Sequence, residues 1–369
     1  MSIAIVGGGP AGLTLARILH IHGIAATVFE RDLSPDDRPQ GGTLDLHPES
    51  GQLALARAGL EEEFRKVARF EDQGTRVLDH HGVVHFADNR SDGDRPEVDR
   101  SELRHLLLAS LPEETVRWDS QVIKIETQPD GRFSVLQPDR PVEQFDFVVG
   151  ADGAWSKVRP LLSNAQPTYT GAVFYEFGLD DVDRQHPEIA ALVGRGSMFA
   201  LGEGRAIIGQ RNGNAHIRIC AALRAPESEI ITFVDASSLE TAKNDLLRIF
   251  ENWSESLRNL ISQGGNLRIW PLYTLPVGHR WNHRPGVTLI GDAAHLMTPF
   301  SGEGANLAML DASELALAIA LGKEIRDFES SMLARAEEAA FGATQGLESA
   351  LAPDALAHTV AWMSGAVGR

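Results

Sequence analysis

Residues 3–30, IAIVGGGPAGLTLARILHIHGIAATVFE, decide the fold. Ile3 to Val6 is a short apolar run with the composition of a buried strand, and Gly7, Gly9 and Gly12 set out the pattern G-x-G-x-x-G. Pro10 to His22 has helical spacing, with Leu15, Ile18 and Leu19 free to pack on a sheet, and a second apolar run, Ala25 to Phe29, ends at Glu30. A glycine-rich turn by itself is often only a turn. Here strand, turn, helix, strand and terminal acid stand at the offsets of a dinucleotide-binding unit. The glycines allow a tight turn and close backbone approach, the helix N-terminus offers N–H groups to a pyrophosphate, and the carboxylate accepts ribose hydroxyls. Glu30 repels a 2′-phosphate, so the stretch suits FAD or NAD better than NADP.

At 369 residues the chain can bury a sizeable core, and its length predicts two domains or one large domain with an insertion. With 43% hydrophobic and 23% charged residues it has an ordinary globular composition. No apolar run approaches the length of a membrane span, and the chain enters its first strand too early for a signal peptide, so the expected location is the cytoplasm, with no membrane partner. The single cysteine, Cys220, rules out an internal disulfide and any multi-cysteine metal site; it stands in an alternating strand and reads as buried. A formal charge of −17 argues against nucleic acid as a partner, because phosphate binding needs a basic face. The thirteen histidines show no metal-ligand spacing.

After Glu30 a polar loop carries Arg31, Arg38, Gly41, Gly42 and Asp45, and reads equally as a solvated connection or as a flap over the cofactor. Ser50 to Arg69 is expected to be one helix, residues 74–90 the strands of a hairpin or an edge, and Val116 to Ile125 a strand. Asp99 to Leu111 reads as a capped amphipathic helix. Its Arg100 and Arg104 share a face, either solvated or aimed together at a diphosphate. Phe145 to Val149 returns to a buried strand and runs into GADGAWSKVR. Alternating runs at 197–201, 205–210 and 215–223, joined by Gly/Asn turns, then mark a sheet, with His216, Arg218 and Cys220 on one face. The stripe Leu246, Phe250, Trp253, Leu257 and Leu260 predicts a helix. Val287 to Ile290 leads into GDAAHLMTPFSGEGANLAMLDA, where Gly302 and Gly304 precede a strongly helical tail. N–H groups at that helix start can stabilise negative charge. The C-terminal forty or so residues read as Ala- and Glu-rich helix.

Three separated motifs thus stand together: GGGPAG with Glu30, GADGAWSKVR at 150–159, and GDAAHLMTPFSGEGANLAMLDA at 291–312. In this the chain resembles the single-component FAD-dependent aromatic hydroxylases, and with GGTLDLH, DRSELR and IGDAAHLM it looks most like the tetracycline-inactivating monooxygenases. The likeness extends to about residue 335. It implies an α/β fold: a Rossmann-like FAD-binding domain (1–72, 97–169 and 281–322), an inserted, mainly β-sheet substrate domain (73–96 and 170–280), and a C-terminal helix (323–369) bridging them.

The resemblance also implies site residues. Glu30 and Arg31 would hold the adenosine end of FAD, Arg100 its middle, and Asp292 a ribityl hydroxyl. Asp45, Pro299 and the segment from Gly302 through Gly304 to Asn306 would lie near the flavin ring, with Phe300 toward the substrate. Arg38 matches the position where the family handles NADPH, and Asp152 and Gly153 fall in a motif that touches both nucleotides. His216 matches a substrate-contacting histidine. The glutamine and arginine that bind tetracycline in the family fall on Glu176 and Ser197, a departure at two positions; Glu176 and Gln210 join His216 as expected substrate contacts. The implied reaction uses NADPH or NADH and O2 to hydroxylate an aromatic or polycyclic molecule through a flavin C4a-hydroperoxide, in a monomer or homodimer. No triad or metal cluster is needed, and none is seen in the sequence. A flavin reductase or dehydrogenase of the same fold, and a flavoprotein that only sequesters a small molecule, remain as alternatives. A halogenase would add a Trp-x-Trp segment, which Trp270-Pro271 does not supply.

Overall fold

In the computed structural model, which describes residues 1–37, 41–89, 93–232 and 236–365, Ile3–Val6 is the middle strand of a five-stranded parallel sheet. Its order is Val287–Leu289, Phe147–Gly150, Ile3–Val6, Ala26–Phe29, Val116–Arg117. The three inner motifs of the sequence therefore begin at the ends of neighbouring strands. Every residue of Ile3–Val6 and Phe147–Gly150 is buried, which is why these runs are continuously apolar rather than alternating. Helix Pro10–Ile21 buries Leu13, Leu15, Ile18 and Leu19, and helix Gly304–Ala320 buries most of its length.

The chain divides into two units. One comprises Met1–Ala68, Arg100–Thr168 and Tyr273–Thr344, the other Arg69–Asp99, Tyr169–Leu272 and Gln345–Arg369. The first is the Rossmann-like α/β unit. The second is mainly β: a seven-stranded sheet in the order Gly265–Thr274, Thr168–Leu179, Ile217–Arg224, Arg205–Arg211, Gly196–Gly202, Gly74–Asp79, Val84–Asp88. One face of that sheet, with Tyr175, Phe177, Ile217 and Ile219, packs on Leu246, Phe250, Trp253, Leu257 and Leu260. Side chains alternate along a strand, so Glu176, Arg218 and Cys220 occupy the other face.

Several local readings change. The stripe from Leu246 to Leu260 belongs to two helices, Ala236–Ile249 and Glu255–Gln263, with Phe250 and Trp253 in the turn between them. The helix expected over 50–69 breaks at Gly59, whose φ is +67°, into Leu53–Arg57 and Glu61–Val67. The strand expected over 116–125 consists of Val116–Arg117 and the start of Lys124–Thr127. Asp99 does not cap the following helix; its carboxylate pairs with Arg69 at 2.8 Å and accepts the Gly213 N–H at 3.1 Å.

Candidate cofactor cradle and substrate face

The three fingerprint glycines do different work. At Gly7 φ is +106° and a Cβ would stand 2.3 Å from the Ala151 carbonyl oxygen; at Gly12 it would stand 2.0 Å from the Gly7 carbonyl oxygen. Both are required by the protein's own packing. A Cβ at Gly9 would meet nothing within 4 Å, so its absence leaves room at the start of helix Pro10–Ile21 for something else. Glu30, 5% exposed, accepts the Gly8 N–H at 2.7 Å and the Asp32 N–H at 3.0 Å, which fixes its carboxylate against the glycine turn. Arg31 beside it is exposed.

A second helix start faces a similar gap. A Cβ at Gly304 would meet nothing within 4 Å, and one at Gly302, where φ is +69°, would meet only Asp45 Oδ1 at 3.8 Å. A Cβ at Gly291 would lie 2.9 Å from Ala308 Cβ and 3.6 Å from Ala11 Cβ, so small residues let both long helices approach this turn. The next residue, Asp292, is solvent-accessible, yet loss of bulk solvation raises its pKa, with His295 and Arg100 pulling it back down. Asn306, 1% exposed, spends its side chain on the loop: Oδ1 accepts the His47 N–H at 2.9 Å and the Gly51 N–H at 3.2 Å, and Nδ2 donates to the Asp45 carbonyl at 2.9 Å. The Asp45 carboxylate is left half open and meets His47 Nε2 at 3.1 Å. Pro299 is exposed and Phe300 partly buried.

The loop after Phe147–Gly150 brings in Asp152. Its Oδ2 accepts the Lys157 N–H at 2.6 Å, its Oδ1 is buried with no partner among the described residues, and desolvation raises its pKa. Arg159, 2% exposed, donates to the carbonyls of Ala154, Ala165 and Ala293 at 2.6, 3.2 and 3.1 Å. One guanidinium thus ties the Asp152 loop to the Asp292 turn, a role the sequence reading did not assign it. Arg104 is not on a solvated face. It is 4% exposed, pairs with Asp32 at 2.9 Å and lies over the Trp118 ring at 5.3 Å, with Nε and Nη1 unpartnered among the described residues. Arg38 lies outside the described residues.

In the second unit Glu176, Gln210 and His216 share the sheet face opposite the core, whereas Phe300 belongs to the first unit. Arg218 joins two of them: Nε donates to Glu176 Oε2 at 2.7 Å and Nη1 to Gln210 Oε1 at 3.2 Å. Arg268 Nη1 stands 3.9 Å from Glu176 Oε1. His216 lies over Gly178, and its Nδ1 is 2.7 Å from Asp180 Oδ1. Strand alternation made Arg218 legible as a neighbour of His216; Arg268 carried no comparable signal.

Two measurements check this face. Arg218→Met leaves a carboxylate that is 7% exposed without its main partner, and is expected to cost about 3 kcal/mol in denaturant unfolding, most of it recovered in Glu176→Leu/Arg218→Met; a loss under about 1 kcal/mol would mean a well-solvated pair. Burial pushes the Cys220 thiol from 9.0 up to about 11, so a thiol reagent at about pH 8 should label it only after unfolding. Because the folded pKa lies above the unfolded one, the stability this thiol contributes is complete below pH 9.0 and declines as pH rises toward about 11. Fast labelling of the native protein would contradict its burial.

A family profile described as "FAD binding domain" matches residues 1–340, and the chain belongs to that family. It is an FAD-dependent monooxygenase of the aromatic-hydroxylase type. It is 34% identical to Monooxygenase asqM of Emericella nidulans, over 85% of this chain and 82% of that one. It is 27% identical to the 3-amino-4-hydroxybenzoate 2-monooxygenase PtnB3 of Streptomyces platensis, over 91% and 85%. Its fold matches Klebsiella pneumoniae HpxO complexed with FAD and uric acid, with a TM-score of 0.80 and 21% identity over 99% of this chain and 92% of that one. The residues present fit FAD: Gly9, Gly302 and Gly304 leave open space at two helix starts, Asp152 Oδ1 is buried with no hydrogen-bond partner among the described residues, and Asp292 is exposed. Among the described residues no helix is long and apolar enough to cross a membrane, and no His, Cys, Asp and Glu group could hold a metal ion.

Proposed function

We propose that this monooxygenase uses NADPH or NADH and O2 to hydroxylate an aromatic or polycyclic small molecule. When bound, FAD would supply the redox chemistry, coupling two-electron oxidation of the nicotinamide donor to insertion of one atom of O2 into the substrate and release of the other as water. The protein's part is binding, orientation and exclusion of water. In this reading the turn at Gly7, Gly9 and Gly12 and the helix behind it face the pyrophosphate, with Glu30 and Arg31 at the adenosine ribose and Arg100 and Asp292 along the ribityl chain. Asp45, Pro299, Gly302, Gly304 and Asn306 border the flavin ring. Asp152 stands where both nucleotides pass, and the nicotinamide donor binds transiently, since the fold supplies one dinucleotide fingerprint.

The observation that carries the substrate side is the set of joined polar groups on the sheet face opposite the core. Glu176, held by Arg218 and approached by Arg268, with Gln210 and His216 beside it, supplies both donors and acceptors for ring hydroxyl, carbonyl or carboxylate groups. Two guanidiniums against one carboxylate favour a substrate that is anionic or carries an enol or phenol, and the name of the Streptomyces relative specifies a hydroxybenzoate substrate. The test is NAD(P)H consumption with a panel of phenols, hydroxybenzoates, quinones and tetracyclines, followed by product analysis under 18O2. Stimulated consumption with one 18O in the product supports the reading; oxidation of substrate with no label in the product refutes it.

A further inference from the structure

The turn that presents Asp292 is gripped from behind by a pair outside the set of cofactor contacts. Gly291, at φ +58° and ψ −144°, donates its N–H to Asp311 Oδ2 at 3.1 Å, and the ring of His295, one helical turn further on, places Nε2 2.6 Å from the same oxygen. Asp311 is 1% and His295 5% exposed. One carboxylate oxygen therefore staples both ends of the short helix Asp292–His295 to helix Gly304–Ala320. Arg335 Nη2 lies 3.6 Å from Asp311 Oδ1 and donates to Glu314 Oε2 at 2.5 Å, which holds Asp311 in place from its far side. Nδ1 of His295 is buried and has no partner among the described residues.

We propose that His295 is a positioning residue for the flavin: as an imidazolium clamped by Asp311, it orients the Gly291–Asp292 turn and keeps Asp292 ionised as an acceptor for the cofactor. The inference rests on Asp292 meeting FAD as proposed above. Burial works against the charge on His295, but Asp311 and then Asp292 outweigh it and raise its pKa. The same coupling acts on Asp292, whose carboxyl desolvation pushes up and His295 and Arg100 pull down. The charged groups facing the imidazole are thus Asp311 and Asp292, with Arg335 behind Asp311 and the His279 ring, whose own pKa His295 helps to lower. The signs follow. FAD affinity is lost on the acid side as Asp292 takes a proton, and on the alkaline side as His295 gives one up.

The test is FAD binding to the apo form of the full chain, followed by flavin fluorescence across pH, for wild type, His295→Gln, Asp311→Asn and Asp292→Asn. His295→Gln and Asp311→Asn are expected to weaken FAD at least tenfold at neutral pH, to move the acid limb to higher pH and to abolish the alkaline limb. Equal affinity of wild type and His295→Gln, or a loss by the same factor at every pH, overturns the proposal, the second outcome showing packing alone. Should both variants fail to fold, the wild-type profile decides: a flat affinity from about pH 6 to about pH 9 overturns the proposal and an alkaline fall supports it. If Asp292→Asn binds like wild type, the placement of Asp292 falls and this inference with it; if only His295→Gln does, the inference alone fails.

Discussion

Gly9→Val is expected to give a folded but colourless protein, whereas Gly12→Val is expected to give a poorly folded one. The added side chain at Gly9 projects into space that holds no protein atom within 4 Å of its Cβ, so the apo fold should melt within a few degrees of wild type. In the proposed reading that space is where the backbone approaches a pyrophosphate, and filling it should weaken FAD at least about 100-fold, or 2.7 kcal/mol. At Gly12 the Cβ would stand 2.0 Å from the Gly7 carbonyl oxygen, a backbone atom that cannot swing away. Overpacking of this kind costs about 3 kcal/mol or more before any cofactor is added. Apo-protein melting and FAD titration separate the two. If Gly9→Val bound FAD normally, the cradle would lie elsewhere.

Arg159→Met should have the next largest effect. Its guanidinium is almost fully buried and serves the backbone carbonyls of Ala154, Ala165 and Ala293. A methionine roughly fills the volume and leaves those acceptors unsatisfied, at a cost of about 3–5 kcal/mol. Ala154 and Ala293 are sequence neighbours of Asp152 and Asp292, so loosening them should also weaken FAD by at least about tenfold, beyond what lost stability explains. Melting of the apo form gives the first number and flavin titration the second. A variant with wild-type FAD affinity would make Arg159 a core strut with no bearing on the cofactor.

Motifs were legible where chemistry and local geometry coincide. The turn at Gly7, Gly9 and Gly12 could be read from the chain because a strand, a tight turn and a helix in succession leave few residues able to occupy it. The sheet face was half legible: alternation placed His216, Arg218 and Cys220 together, but which group Arg218 holds depends on strand Thr168–Leu179 lying alongside in a register that pairs Glu176 with Cys220. The two arginines of helix Arg100–Ala109 show the limit most clearly. Their spacing established that they share a face, and nothing in it distinguished a solvated face from a buried one. Arg104 is buried because Asp32 and Trp118 meet it there.

The sequence by itself determined the α/β class, the dinucleotide fingerprint and the three motif segments, since each follows from local periodicity and from residues with few conformational substitutes. Only the tertiary structure decided which polar groups are partnered: Asn306 with the 45–51 loop, Arg159 with Ala154 and Ala293, more than a hundred residues apart, and His295 with Asp311. A buried charge must find its counterpart in space, and the chain order carries no record of which distant side chain will stand within hydrogen-bonding distance.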